Sequence, residues 1–161
     1  MTEENNLLEI KNLVVQFPSG DRYVNAVNGV NLTIRKGEIL GIVGESGCGK
    51  SVSLFSVLRL LPPQAKVSGE IWFEGRDLLK LPLKEIRAIR GKSISMIFQE
   101  PMTSLNPAFK IGEQISEAIR LHKGCGKKAA MAEALELLKL VEVPDAEKRL
   151  RRLSRGADML A

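Results

Sequence analysis

Residues 39–51 read ILGIVGESGCGKS, and this stretch decides the fold class. Its first six residues, ILGIVG, are an apolar run ending in glycine, which predicts a buried strand of a parallel sheet. Its last eight residues match the pattern Gly-x-x-x-x-Gly-Lys-Ser/Thr at every position. A helix is predicted to begin at Lys50 and to run to about Leu61, because Pro62 and Pro63 follow. Strand, glycine-rich loop and helix in this order predict a phosphate-binding loop.

The residue types in the loop suit a phosphate chain. Gly44, Gly47 and Gly49 allow a tight turn that points several backbone N–H groups inward, and the helix N-terminus adds its dipole. Lys50 is expected to reach the β- and γ-phosphates, and Ser51 to ligate Mg²⁺. The predicted nucleotide-binding residues of the loop are Gly44, Glu45, Ser46, Gly47, Cys48, Gly49, Lys50 and Ser51.

The rest of the chain predicts an α/β protein with a helical second part. Strands are expected at 7–17 and 22–34, around a turn at 18–21, and a strand pair at 68–78. A short helix should end at Gly91, and SISMIFQ at 93–99 is a second candidate buried strand. Apolar residues at helical spacing predict helices at 113–122 and 127–141. We expect a nucleotide-binding core at 1–100, a helical part at 101–150 and a tail at 151–161.

Composition narrows the function classes. The content of 44% hydrophobic and 27% charged residues is that of a globular protein, and no apolar run approaches the length of a membrane span. Aromatic residues make up only 4%, which disfavours a stacking surface for single-stranded nucleic acid. Basic residues collect in KEIRAIRGK, in HKGCGKK and above all in EKRLRRLSR near the end, but much of the Lys and Arg is interleaved with Glu. Solvated helix faces are therefore favoured over a nucleic-acid surface.

Two further segments carry a family resemblance. ISMIFQEPMTSLNP at 94–107 and IGEQISEAI at 111–119, together with the phosphate loop, resemble the ATP-binding subunits of ABC transporters. The likeness is strongest to the importers of oligopeptides, dipeptides and nickel, and it covers about residues 7–150. It implies a P-loop NTPase of the ABC type, the N-terminal part of its nucleotide-binding domain. An antiparallel β subdomain and the start of a helical subdomain are expected.

The resemblance also implies site residues, cofactors and partners. Gln99 corresponds to a glutamine that contacts Mg²⁺ and the attacking water. Phe17 corresponds to an aromatic residue that stacks on adenine, and Tyr23 is the alternative for this role. The implied cofactors are ATP and Mg²⁺. The implied partners are membrane-spanning permease subunits, a second ATP-binding subunit and, indirectly, an extracytoplasmic solute-binding protein. No nucleic acid is implied, and the expected location is peripheral, on the cytoplasmic face of the membrane. The solute (peptide, nickel or glutathione) stays open.

The chain departs from the family pattern near its end. A signature resembling LSGGQ is expected after the helical part, but 153–161 read LSRGADMLA, with Arg155 in place of a glycine. A shifted reading frame near Ser154 would account for this. No apolar run ending in Asp-Glu follows, Glu100 is a poor substitute, and His122 lies too early to be the switch histidine. We therefore expect weak ATP binding, negligible turnover by the chain alone, and exposed apolar faces with unpaired strand edges.

Three functional hypotheses follow. The first is an N-terminal piece of a peptide-importer ATPase whose intact form couples ATP hydrolysis to transport. The second is a non-catalytic nucleotide-binding module that docks on a membrane subunit. The third is a nucleic-acid-associated ATPase, which steeply salt-dependent binding to DNA or RNA would support.

Overall fold

The computed structural model of the protein describes residues 5–98 and 105–153. The chain divides after Arg90 into two compact units. Among the described residues, the first unit contains a four-stranded antiparallel sheet and two helices, and the second contains three helices. The elements of the first unit are β1 Asn6–Ser19, β2 Arg22–Arg35, α1 Lys50–Val57, β3 Lys66–Phe73, β4 Arg76–Asp77 and α2 Leu83–Ile89. Those of the second unit are α3 Ile111–Lys123, α4 Lys127–Leu140 and α5 Ala146–Arg151.

The sheet has the order β2-β1-β3-β4, and every neighbouring pair is antiparallel. A two-residue turn joins β1 to β2, because Ser19 pairs with Arg22. Glycine supplies the positive φ that such a tight hairpin needs, here at Gly20 with φ of 58°. A second two-residue turn through Gly75 joins β3 to β4. The predicted hairpin and the predicted strand pair at 68–78 are both present.

A bulge in β1 decides which side chains enter the core. Asn12 has φ of 47°, and the pairing of β1 with both neighbouring strands shifts register there. Leu8 and Ile10 are buried before the bulge, and Leu13 and Val15 are buried after it. Because side chains of a strand alternate between its faces, the one-residue shift moves the buried set from even to odd positions.

Gly69 on β3 makes this bulge possible. A Cβ atom at Gly69 would lie 2.5 Å from the Asn12 carbonyl oxygen and 2.7 Å from that of Lys11. The φ of Gly69 is 102°, which side-chain-bearing residues rarely adopt. The backbone of β3 therefore approaches the bulge as only glycine allows.

Helix α1 ends earlier than the sequence predicted. It stops at Val57 rather than near Leu61, and Arg59 follows with φ of 50°. The Arg90 side chain donates from Nε to the Leu58 carbonyl and from Nη2 to the Arg59 carbonyl, both at 2.9 Å. These bonds satisfy carbonyls that a helix end leaves without intrahelical partners. Burial lowers the pKa of Arg90, and the positive charges of Arg59 and Arg87 lower it further.

In the second unit, α3, α4 and α5 pack around a small core of their own. Ala130 and Ala134 are fully buried in it, together with Ile119 and Leu150. Gly112 allows the close approach of α3 to α5, since a Cβ atom there would lie 2.7 Å from Leu150 Cγ. The predicted helices at 113–122 and 127–141 are present, whereas α5 was not predicted.

Two predicted strands are wrong in this structure. Residues 39–44 and 94–98 belong to no strand, although each has a strand-like apolar sequence. Ile39 and Val43 are 98% and 97% exposed, and Ile97 is 99% exposed. A strand of a parallel sheet is stabilised only when neighbouring strands pair with it and other elements cover its faces. These exposed apolar side chains agree with the prediction from the sequence that apolar faces would be left exposed.

Within residues 5–98 and 105–153, no helix is both long and apolar enough to cross a lipid bilayer.

Candidate nucleotide-binding site

The phosphate loop lies between the unpaired residues 39–43 and the first turn of α1. Gly47 and Gly49 both have positive φ, of 82° and 93°. Gly49 is the N-cap of α1, and a Cβ atom there would clash with the Ala26 carbonyl oxygen on β2. The helix end of the loop is therefore held against the sheet by a contact that requires glycine.

Gly44 lies against the side chains of Cys48 and Lys50. A Cβ atom there would meet the Cys48 sulfur at 2.8 Å and approach the Lys50 ammonium at 3.7 Å. The loop thus folds back on its own first residue, and a Cβ atom at this position would require the Cys48 side chain to move.

The Lys50 ammonium lies at the centre of the loop. It donates to the carbonyl oxygens of Gly44 at 2.6 Å and Glu45 at 2.7 Å, and it is 3.4 Å from the Cys48 sulfur. No carboxylate pairs with it among the residues that the structure describes. Its positive charge is therefore available to an anion that enters the loop.

The start of α1 adds to the attraction for an anion. Its first turn contains no acidic residue, so the free N–H groups and the helix dipole face the loop without a competing carboxylate. Ser51 lies in this first turn and is exposed, as are Glu45, Ser46 and Cys48. Of the eight residues predicted from sequence, 44–49 lie in the loop, and Lys50 and Ser51 begin α1.

The two aromatic candidates lie at the β1–β2 turn. Phe17 is half-buried and pairs with Val24, one register step from the pair of Pro18 with Tyr23. The Lys66 ammonium lies 3.7 Å from the centroid of the Tyr23 ring. One face of Tyr23 is therefore occupied by a cation.

Several predicted positions fall outside the described residues. Gln99, the catalytic and metal-binding candidate, is among them, as are Glu100 and the signature-like residues from Ser154 onward. Leu153, the first residue of that segment, is described and forms a bridge with Lys110 at the start of α3. His122 lies next to Gly91, at the end of α3. No group of three or more His, Cys, Asp or Glu side chains in residues 5–98 and 105–153 could hold a metal ion.

Sequence reasoning missed one feature of the loop and one feature of the helical unit. One is the contact of Gly49 with Ala26, which no sequence pattern reveals because the two residues lie far apart in the chain. The other is a groove of about 650 Å³ in the helical unit, with an apolar floor and basic side chains around it. Lining residues include Met131, Leu135, Leu150, Lys110, Lys128 and Arg151. The sequence predicted that these basic residues lie on solvated helix faces. The apolar residues interspersed among them in the sequence could have indicated the groove.

The fold and the loop place the chain in a known class of protein. It belongs to the ABC transporter family, whose model matches residues 27–160. The solved dimeric structure of the ATP-binding cassette MJ0796, in a post-hydrolysis state bound to ADP and Pi, superposes with a TM-score of 0.75 at 24% identity. The match covers 96% of this chain and 63% of the MJ0796 chain. The predicted fold class is confirmed by this likeness.

Within the family, the chain is similar to proteins named for peptide transport. The oligopeptide transport ATP-binding protein OppD of Haemophilus influenzae is 51% identical over 146 residues, which are 91% of this chain and 45% of that protein. The dipeptide transport ATP-binding protein DppD of Bacillus subtilis is 51% identical over 147 residues, 90% of this chain and 44% of that protein. The predicted resemblance to peptide-importer ATP-binding subunits is confirmed. The chain spans less than half the length of these relatives.

Proposed function

We propose that the chain is the N-terminal nucleotide-binding part of the ATP-binding subunit of a peptide importer. In the intact protein, ATP binding and hydrolysis would drive transport. The observation that carries the proposal is the Lys50 ammonium at the centre of a glycine loop, held by backbone carbonyls and opposed by no carboxylate among the described residues. A phosphate chain can replace these two carbonyls as the acceptor.

Binding of the phosphates would proceed by exchange of partners. The Lys50 ammonium leaves the carbonyls of Gly44 and Glu45 and donates to the β- and γ-phosphates. Backbone N–H groups of the loop and of the first turn of α1 donate to the phosphate oxygens. The exchange conserves the hydrogen bonds of Lys50 while adding a direct attraction between opposite charges.

Mg²⁺ would enter together with the nucleotide. The described residues offer the exposed Ser51 hydroxyl and no carboxylate cluster, which suits an ion that takes most of its ligands from phosphates and water. Gln99 is proposed as a second ligand and as the residue that orients the attacking water. Mg²⁺ would neutralise charge on the phosphates during transfer.

Phe17 is proposed to stack on the adenine ring. It is half-buried on β1 and belongs to the same unit as the loop. Tyr23, the alternative, has one ring face covered by Lys66. Replacement of Phe17 by alanine should therefore weaken ATP binding, and replacement of Tyr23 should not.

The partners proposed for the intact protein are permease subunits in the membrane and a second ATP-binding subunit. The permease partners are supported by the names of the relatives, which are transport ATP-binding proteins. The second ATP-binding subunit is supported by the dimeric cassette structure. The proposed location is the cytoplasmic face of the membrane. Peptides are the proposed solute because the similar proteins are named for oligopeptide and dipeptide transport.

The test is titration of the 161-residue chain with a fluorescent ATP analogue at high concentration, with and without Mg²⁺. Binding should weaken by about tenfold or more in Lys50→Ala, because a charge-assisted hydrogen bond contributes about 1.5–3 kcal/mol. Lys36→Ala is the matched control, since Lys36 is exposed in the turn after β2. Equal affinity of the Lys50→Ala variant and the unaltered chain would contradict the proposal.

A measurement of ATP hydrolysis distinguishes the importer-ATPase hypothesis from the hypothesis of a non-catalytic module. We expect no turnover by the 161-residue chain, because it contains no apolar run ending in Asp-Glu to activate water. A fusion that adds the remaining part of the Haemophilus influenzae relative should hydrolyse ATP, and its Lys50→Ala variant should not. A fusion that binds ATP without turning it over would support the non-catalytic module.

A further inference from the structure

The groove in the helical unit has an apolar floor that its three helices leave partly uncovered. It is lined by the start of α3, the first part of α4 and the end of α5, and its volume is about 650 Å³. Met131 and Leu135 are half-buried on the floor, and the exposed Ala132 also lines it. Leu150 of α5 is buried beneath the same groove. Because side chains four residues apart lie on one face of a helix, Met131 and Leu135 form a continuous apolar strip.

The rim of this groove is basic. Its charged residues are four cations and one carboxylate, namely Lys110, Lys127, Lys128, Arg151 and Glu113. The Lys127 ammonium lies 4.0 Å from the Glu113 carboxylate. The other three cations have no carboxylate within ion-pair distance among residues 5–98 and 105–153. The rim therefore has an excess of positive charge that no described side chain neutralises.

The start of α4 adds to the positive potential at the rim. Its N-cap is Gly126, no side chain caps it, and its first turn contains no acidic residue. The first N–H groups of a helix have no partner within the helix and carry the positive end of the helix dipole. The groove therefore combines an apolar floor with a rim that attracts anionic groups.

This combination favours an amphipathic helix as the occupant. An extended segment would need a sheet edge to pair with, and the described residues of the second unit form no strand. A nucleic acid would contact the cations, but no aromatic residue in the described chain lines the groove for a base to stack on. A flat membrane surface would meet the exposed cations and leave the recessed floor uncovered. An amphipathic helix can place apolar side chains on the floor and polar ones at the rim.

We propose that the groove docks an acidic amphipathic helix of another protein, with its apolar side chains on the floor and its carboxylates against the rim. Lys110, Lys128 and Arg151 would then gain the counter-charges that they lack in the described chain. A second copy of the chain is a poorer occupant. None of its five described helices has more acidic than basic residues, and the net charge of +5 makes two copies repel each other. The proposal does not rest on the nucleotide function.

The groove is separate from the other exposed apolar surface of the helical unit. Leu137, Leu140 and Val141 are exposed at the C-terminal end of α4, and none of them lines the groove. On a helix with 3.6 residues per turn, Ala132 and Leu137 point about 140° apart. A partner that covers Leu137 and Leu140 would therefore leave the groove open.

The test is a fluorescence anisotropy titration with a labelled peptide of about 15 residues, which carries leucine on one helical face and glutamate on the other. The peptide is titrated with the 161-residue chain and, separately, with a fusion that adds the remaining C-terminal part of the Haemophilus influenzae relative. Both proteins should bind it at least about tenfold more tightly than a control peptide with lysine in place of each glutamate. Binding should weaken as salt is added, because ion pairs at an exposed rim are screened.

Two alanines of α4 provide matched variants. Ala132 and Ala129 are both exposed, but only Ala132 lines the groove. Ala132→Glu places a carboxylate in the groove and should weaken binding of the acidic peptide by about tenfold or more. Ala129→Glu should leave the affinity unchanged. Because both positions are exposed, neither substitution should lower the midpoint of thermal unfolding. The comparison of the two peptides tests the charge preference without any change to the protein.

Equal affinity for the acidic and the basic peptide would overturn the proposal, because the groove would then select only for apolar side chains. Equal weakening by Ala129→Glu and Ala132→Glu would also overturn it, since the peptide would bind elsewhere. Binding to the chain but not to the fusion would show that the remaining part of the protein covers the groove. Binding of phosphatidylglycerol vesicles that Ala132→Glu abolishes, without binding of the peptide, would identify a membrane as the occupant instead.

Discussion

The sheet strand β1 and the run at 39–43 belong to the same compact unit and have equally strand-like sequences, yet only β1 is paired. Leu13 and Val15 of β1 are fully buried, whereas Ile39 and Val43 are almost fully exposed. The strands that pair with β1 follow it within the first unit, β2 through a two-residue turn. Residues 39–43 have no such neighbour in the described chain. An apolar, β-branched sequence therefore permits a strand, but the strand forms only where a pairing partner is present.

Truncation of buried and exposed isoleucines is the strongest test of this comparison. Ile71 is fully buried on β3, and Ile39 lies on the exposed run. Ile71→Ala should lower the free energy of unfolding by about 2–5 kcal/mol, through lost burial and the cavity that remains. Ile39→Ala should change it by less than about 0.5 kcal/mol. Chemical denaturation of the two variants measures both values, and similar losses would mean that residues 39–43 are packed in solution.

The bulge in β1 can be tested with two glycines that share positive φ. Gly69 and Gly75 have φ of 102° and 75°, but only Gly69 faces backbone carbonyls where a Cβ atom would lie. Gly75→Ala should cost about 1 kcal/mol of backbone strain. Gly69→Ala should cost about 1–3 kcal/mol more, because the close approach to Asn12 is lost as well. The midpoints of thermal unfolding compare them. Equal midpoints for the two variants would show that the close approach of Gly69 to Asn12 contributes nothing to stability.

The C-terminal end of α1 offers a smaller test. Arg90 holds the C-terminal end through the Leu58 and Arg59 carbonyls. Arg90→Met should lower stability by about 1.5 kcal/mol, since buried carbonyls lose charged donors. The exposed Arg87→Met is the control and should be close to neutral. Denaturant titration distinguishes them, and an unchanged Arg90→Met variant would show that the C-terminal end of the helix needs no side-chain cap.

The smallest expected effect is a dependence of sheet stability on pH through Asp77. Burial raises the pKa of this carboxyl, but hydrogen bonds from Lys80 and from the Leu79 and Ile71 backbone outweigh it and leave the pKa lowered. Because the folded pKa lies below the unfolded value, this stabilisation is present above the unfolded pKa and is lost as the pH falls through the folded pKa. The loss should be about 1 kcal/mol or less, since the Lys80 side chain is largely exposed.

Asp77→Asn is the matched variant for this last prediction. Its stability should be lower than that of the unaltered chain at pH 7, and the difference should shrink as the pH falls below the unfolded pKa of aspartate. Thermal unfolding across acidic pH measures the difference. A stability difference that stays constant with pH would show that the charge of Asp77 does not contribute to stability.

Features that depend on near neighbours in the chain could be predicted from the sequence alone. The β1–β2 hairpin follows from apolar, β-branched runs around a short polar turn, α3 and α4 from helical spacing, and the phosphate loop from one continuous motif. Family membership was also readable from motifs that are each continuous in the chain. All these features are fixed by residues within about one turn or one hairpin of each other.

Features that join residues distant in the chain depend on the three-dimensional packing and could not be predicted from the sequence. The bulge at Asn12 selects Leu13 and Val15 for the core because Gly69 of another strand accommodates it. The helix end of the phosphate loop is fixed by Ala26 on β2. Residues 39–43 have the sequence of a strand but stay unpaired, because sheet hydrogen bonds form between segments and no described segment reaches them.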